Sequence, residues 1–244
     1  PSAPQTNMNL KYIREIFIQT KDLIGSQSVI AIVSLFQVSY VVNKLGVESY
    51  GAIALLVALP NIIFRSIHSS NSDVILLSLK KGKNIATESL FLNFVLGIFS
   101  FTICVFVLLN PLNPSFSISQ VTSLNVLPVT IVFYLLTKTF QTFSETTKGI
   151  LIYKNKMKKF SFLESSSIVL RFVSMVFFLE NNPTIQSYLF ANISYFFYIG
   201  VLSLYLINKE YTINKFSIVE FKEFVISIRK SFNKIRLNQI ISLI

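Results

Sequence analysis

Tryptophan is absent from this chain, cysteine and histidine occur once each, and charged residues fill only 14% of its 244 positions. Each shortage removes a class of chemistry. One cysteine, Cys104, leaves no disulfide framework and no thiolate metal cluster. With one histidine as well, the usual zinc ligand set cannot be assembled, so neither a metal nor another cofactor is expected. The few glycines form no phosphate-cradling loop, and no serine sits in a nucleophile elbow. A soluble domain carries about 25% charged residues, so the low charge points away from water as the surrounding solvent.

What fills the chain instead is apolar: 52% of residues, and bunched. Crossing a hydrocarbon core takes about 20 residues of helix. Runs of that order occur at Leu23–Val42, Tyr50–Ile67, Ser89–Leu109, Val126–Phe143, Phe160–Leu179 and Tyr188–Ile207. They are too long and too uniformly apolar for barrel strands, which alternate over ~10 residues. The N-terminal stretch carries charges up to Asp22 and has no small-residue cleavage site after a short apolar core, unlike a signal peptide. A further run, "IRLNQIISLI", starts near Ile235 and stops with the chain, which is therefore expected to be part of a longer protein. The expected fold is all-α: a polytopic transmembrane bundle of six spans plus the start of a seventh. Its expected parts are an N-terminal segment (1–22), a six-helix lobe (23–207), an interfacial helix (208–234) and the start of the next span (235–244).

A net charge of +11 would suggest nucleic acid as the partner of a soluble protein. Here placement decides. Of the 22 Lys and Arg residues, only Lys44, Arg65, Lys138 and Arg171 lie outside the N-terminus and the loops after spans two, four and six. That asymmetry is the positive-inside pattern and puts the N-terminus and those loops in the cytoplasm, without nucleic acid. After span six, Ile218, Phe221, Phe224, Val225, Ile228, Phe232 and Ile235 recur at three- and four-residue spacing, with Lys222, Glu223, Arg229, Lys230 and Lys234 between them. This predicts an amphipathic helix along the cytoplasmic interface, against membrane lipids. With no tryptophan, tyrosines such as Tyr12, Tyr50, Tyr188 and Tyr211 must supply the interfacial belts.

Three cations stand inside apolar runs: Arg65, Lys138 and Arg171. A charge at the bilayer centre costs ~2.5–3.5 kcal/mol even on a lenient scale, so it must snorkel, pair or face a wet cavity. Residues three or four apart share a helix face. Around Arg65 that face holds Asn61, His68 and Ser72; around Lys138 it holds Tyr134, Gln141, Thr142 and Glu145; around Arg171 it holds Glu164, Ser167 and Ser174. Gln27, Ser34 and Gln37 make a weaker stripe in the first span. Snorkelling is the alternative for Arg65 and Lys138, and a bridge to Glu145 or Glu164 the alternative for Arg171. A cavity lined by cations suits an anionic substrate such as a phosphate or pyrophosphate headgroup. His68, Asp73 and Glu145 are the candidates for ion coupling. Pro60 and Pro128 are expected to kink their helices.

The stretch "VNKLGVESYGAIALLVALPNII" resembles the connection between the first two spans of polysaccharide and O-antigen flippases, with Leu45, Gly46, Glu48, Tyr50 and Gly51 carrying the likeness. Gly25 at the start of the first span and the Lys-rich loop "KGILIYKNKMKKF" agree with it; "HSSNSD", where the family often has a glycine, departs from it. These flippases belong to the exporter superfamily that includes multidrug exporters. The resemblance implies one lobe of a two-lobed transporter in the bacterial inner membrane, multi-pass and not an enzyme. Its cargo would be a lipid-pyrophosphate-linked oligosaccharide for polysaccharide, lipopolysaccharide or O-antigen synthesis, and glycan polymerase machinery a further partner. By the same resemblance Arg65, Lys138 and Arg171 would bind the pyrophosphate, with Asn61, Gln141 and Gln37 as sugar or water contacts. The competing classes are a multidrug exporter, which favours acidic cavity residues, and a membrane-embedded polysaccharide polymerase or acyltransferase, which needs positioned acids or bases.

Overall fold

The computed structural model describes the backbone at residues 5–68, 71–109, 126–211 and 216–227, and side chains in those stretches from residue 24 onward. Among the described residues every regular element is a helix. In chain order they are α1 (Gln5–His68), α2 (Asn71–Lys80), α3 (Ala86–Leu109), α4 (Pro128–Gln141), α5 (Phe143–Tyr153), α6 (Met157–Asn181), α7 (Ile185–Glu210) and α8 (218–227). Four stretches are long and apolar enough to cross a membrane: Ile24–Lys80, Ala86–Leu109, Met157–Asn181 and Ile185–Glu210. Helix α1 runs without interruption from Gln5 through the boundary expected at residue 22. The expected seventh run, residues 235–244, lies outside the described residues.

The break in α1 falls at Gly46, whose φ of 83° and ψ of 163° leave the helical region. That region is essentially closed to side chains with a Cβ. Each arm beside Gly46, at ~1.5 Å per residue, is long enough to cross ~30 Å. Of the two expected proline kinks, the one at Pro128 is not made. Pro60 lies within α1 without leaving helical angles. Pro128 opens α4 at its first positions, where the missing N–H has no intrahelical partner to lose. At 14 residues α4 spans only ~21 Å. It continues through Thr142, still in the right-handed helical region and bonded by its N–H to Thr139 O (3.1 Å), into α5. The expected span at Val126–Phe143 is thus one part of a longer jointed rod.

The outer surface departs from the soluble pattern. Large apolar side chains such as Phe99, Phe133, Phe162, Phe177 and Phe197 point outward, while Asn93, Ser100, Thr146, Ser167 and Ser203 are buried. Without water to drive apolar groups together, small polar residues let helices approach and hydrogen-bond. The main apolar core joins Ile53, Leu56 and Phe64 of α1 to Cys104 and Leu108 of α3, Ile131 and Leu135 of α4, Met175 of α6 and Phe196 of α7. Ion pairs fasten opposite ends. Glu210 accepts both Lys156 and Lys159, tying the start of α6 to the end of α7. Far from it, Glu180 takes Lys44 (2.7 Å) and the Tyr40 hydroxyl (2.8 Å), tying α6 to α1.

The α4–α7 crossing has no spare room. A Cβ on Gly200 would lie 2.5 Å from Phe140 Cβ and 3.0 Å from its carbonyl oxygen. Backbone cannot move aside cheaply, so Gly200→Val is expected to cost ~1–3 kcal/mol or more. A lower thermal midpoint of the purified protein in detergent checks this; an unchanged midpoint would mean that the crossing is looser than described.

Candidate functional site

A cavity of about 370 Å³ opens between the second arm of α1 and the α4–α5 rod. Asn61, Phe64, Arg65 and His68 line it from α1, Lys138 and Gln141 from α4, Thr142 from the joint, and Ser144 and Glu145 from α5. Local spacing brings each set to the cavity. Asn61, Arg65 and His68 follow one another at steps of four and three, as do Lys138, Gln141 and Glu145 at three and four, so each trio shares a face.

Lys138 dominates the site. Its side chain is almost wholly enclosed, with the residue 2% exposed. The ammonium donates to Asn61 Oδ1 at 2.5 Å and makes a long contact of 3.4 Å to Gln141 Oε1. Phe196 and Phe64 present their rings to it, with centroids at 4.5 and 5.5 Å. Lys138 therefore does not snorkel to the surface. Among the described residues no carboxylate lies within 4 Å of Lys138, Arg65 or Arg171. Amide oxygens and aromatic faces attract a cation, but each is a neutral partner, and a buried charge without a counter-ion is costly. Arg65 lines the same cavity and is exposed.

His68 is buried beside them, its ring stacked on Phe64 at 5.9 Å and its Nδ1 2.9 Å from the Phe64 carbonyl oxygen. Behind the cavity stands a residue that charge counting overlooks, Asn93 of α3. Its Nδ2 donates to Thr146 Oγ1 (2.8 Å), and its Oδ1 accepts from Asn71 Nδ2 (2.6 Å). Its carbonyl oxygen accepts from Thr142 Oγ1 (3.2 Å) and lies 3.5 Å from His68 Nε2. One asparagine thus links α1, α2, α3 and the α4–α5 rod. The only sequence signal was an amide inside an apolar run.

The remaining candidates stand elsewhere. Arg171 does not line the cavity: it donates from Nη2 to the Tyr188 hydroxyl (2.9 Å) and lies 6.0 and 5.8 Å from the Tyr188 and Tyr195 rings. Neither expected acid partner reaches it; Glu164 accepts instead from Gln27 (3.3 Å). Gln37 is buried against α6, with its Nε2 3.5 Å from the Ile168 carbonyl oxygen. Asp73 is exposed near the start of α2 and takes no part in the cavity.

Comparison with known proteins finds no matching family model, no matching curated protein and no matching solved structure. What the cavity does must be read from its own chemistry.

Proposed function

We propose that this chain is a membrane transporter lobe whose cavity receives the anionic head of a lipid-linked substrate. The observation that carries this reading is the enclosed Lys138, which opens on the cavity beside Arg65 and has only neutral protein partners. An entering phosphate or pyrophosphate supplies the missing counter-ion and can take a charge-assisted hydrogen bond from each cation. Asn61, Gln141, Thr142 and Ser144 offer neutral hydrogen bonds to the rest of the head. The site holds charge; no covalent step is required of it.

Six crossings follow if the two arms of α1, then α3, the α4–α5 rod, α6 and α7 each traverse the bilayer. The lysines of the α5–α6 turn and of the end of α7 then lie in the cytoplasm with the N-terminus. With the resemblance of the Gly46 region to polysaccharide flippases, the cargo is a polyprenyl-pyrophosphate-linked oligosaccharide of the bacterial inner membrane, moved by alternating access. Arg171, held by its tyrosines, does not touch the head in the state described.

Glu145 in the same cavity is the one observation that favours the second reading, an exporter of cationic compounds. The two part on ligand charge. Purified protein in detergent should gain thermal stability with a polyprenyl pyrophosphate and none with the uncharged polyprenol. Stabilisation by lipophilic cations instead would transfer the assignment to the exporter of cations, and no response to either would remove the cavity as a binding site.

A further inference from the structure

The helix α8 has two apolar sides, which the repeat spacing alone had merged into one. Phe224 is buried with Val74, Ile75, Leu79 and Ile150, and Phe221 packs on Phe91 with ring centroids 5.5 Å apart. Polar contacts hold this side in place. Glu88 Oε1 accepts from the Ser217 N–H (3.1 Å), and Lys83 pairs with Glu223 (2.5 Å). The helix is thereby seated on the elbow between α2 and α3. Turned away from the elbow are Ile218 (65% exposed), Val219 (68%), Val225 and Ile226 (54%). Adjacent pairs seven residues apart return to one side of a helix after two turns. Lys222 stands between the pairs on the same side, and Glu220 and Glu223 fall outside it.

From this arrangement we infer that the outward side of α8 is a docking surface for an anionic bilayer leaflet, so that the elbow is fastened to the membrane as well as to the bundle. Two features select lipid as the occupant. The first is continuity: exposed Phe91 touches Phe216 (5.1 Å) and Phe221, and the exposed apolar side chains of α3, Phe94, Val95 and Ile98, lead from Phe91 along a membrane-length helix. The apolar surface of the bundle therefore runs onto α8 without a polar gap at the aromatic cluster. The second is charge. Lys80 and Lys81 are exposed on the same elbow, and the long stem of Lys222 can lie among the aliphatic side chains while its ammonium reaches a headgroup phosphate. A shallow seat at the headgroup boundary satisfies both groups at once. The inference needs membrane embedding alone and is independent of the cargo.

Its test uses an environment-sensitive fluorophore attached to a cysteine at Ile226→Cys, with Glu220→Cys, exposed on the elbow side of the helix, as the reference. Cys104 is fully buried and does not compete for the label. In nanodiscs containing phosphatidylglycerol, the label at position 226 is expected to emit further to the blue than the label at 220. It should lose its fluorescence to a lipid-borne quencher and resist a water-soluble one. Equal access of the water-soluble quencher to both positions would overturn the proposal in favour of a solvated face. Protection of position 226 from both quenchers would overturn it in favour of a protein cover. Unchanged melting of each labelled variant establishes that α8 remains seated.

Discussion

Lys138→Met is expected to weaken strongly the binding of the anionic head proposed for the cavity, while leaving the protein folded and at least as heat-stable as its parent. Methionine matches the lysine stem in length and removes a cation whose direct partners are all neutral. Replacing buried charges by apolar groups of similar volume is often neutral or stabilising, by up to ~4 kcal/mol. Against that gain stands the ligand. Removing one partner of a buried charge contact costs ~2–5 kcal/mol, and at ~1.4 kcal/mol per tenfold the loss in affinity is about 30-fold or more. Polyprenyl pyrophosphate binding and the melting midpoint, measured on the same preparation, separate the two effects. Reduced stability with unchanged affinity would identify Lys138 as a strut and remove the anion site. Arg65→Gln should weaken binding less, because its charge is exposed and screened.

Asn93→Leu is the largest structural loss expected. Leucine is close in size, but it leaves Asn71 and Thr146 without the amide that each now meets. Hydrogen bonds between membrane helices have measured strengths of ~0.6 kcal/mol on average and up to ~1.7. Two lost bonds plus stranded buried groups give ~1–3 kcal/mol. The backbone carbonyl still accepts from Thr142, so the fold should survive at a lower melting midpoint. A double-mutant cycle with Asn71→Leu should show strong coupling between the two positions. Additive losses would mean that the network is not a unit.

Local features of this protein are legible in its sequence, and the relations between helices are not. The apolar runs predict membrane-length helices because length and hydrophobicity are properties of one segment. Spacing predicts that Asn61, Arg65 and His68 share a face, and that Lys138, Gln141 and Glu145 do too. That those two faces meet across one cavity depends on how α1 crosses the α4–α5 rod, which no single segment encodes. Arg171 illustrates the limit: the residues on its own face suggested acid partners, whereas Tyr188 and Tyr195 come to it from α7. The kink expected at Pro128 fails for a related reason. The effect of Pro128 depends on whether it precedes or follows the first helical turn, and the apolar run has no visible start at that resolution of one or two residues. Asn93 is not legible because an uncharged amide perturbs hydropathy little, although its partners come from three other elements.

The single-residue break at Gly46 limits how the first two arms can part. Two virtual bonds join Leu45 to Val47, so their Cα atoms can never stand more than ~7 Å apart. No loop is present there to lengthen when one arm tilts. The arms behave as a pair of compasses with its joint at Gly46: separation is nil at the joint and greatest at the far end. Arg65 and His68 sit at that far end of the second arm, so a small angular change at one glycine becomes a wide displacement of the cavity wall.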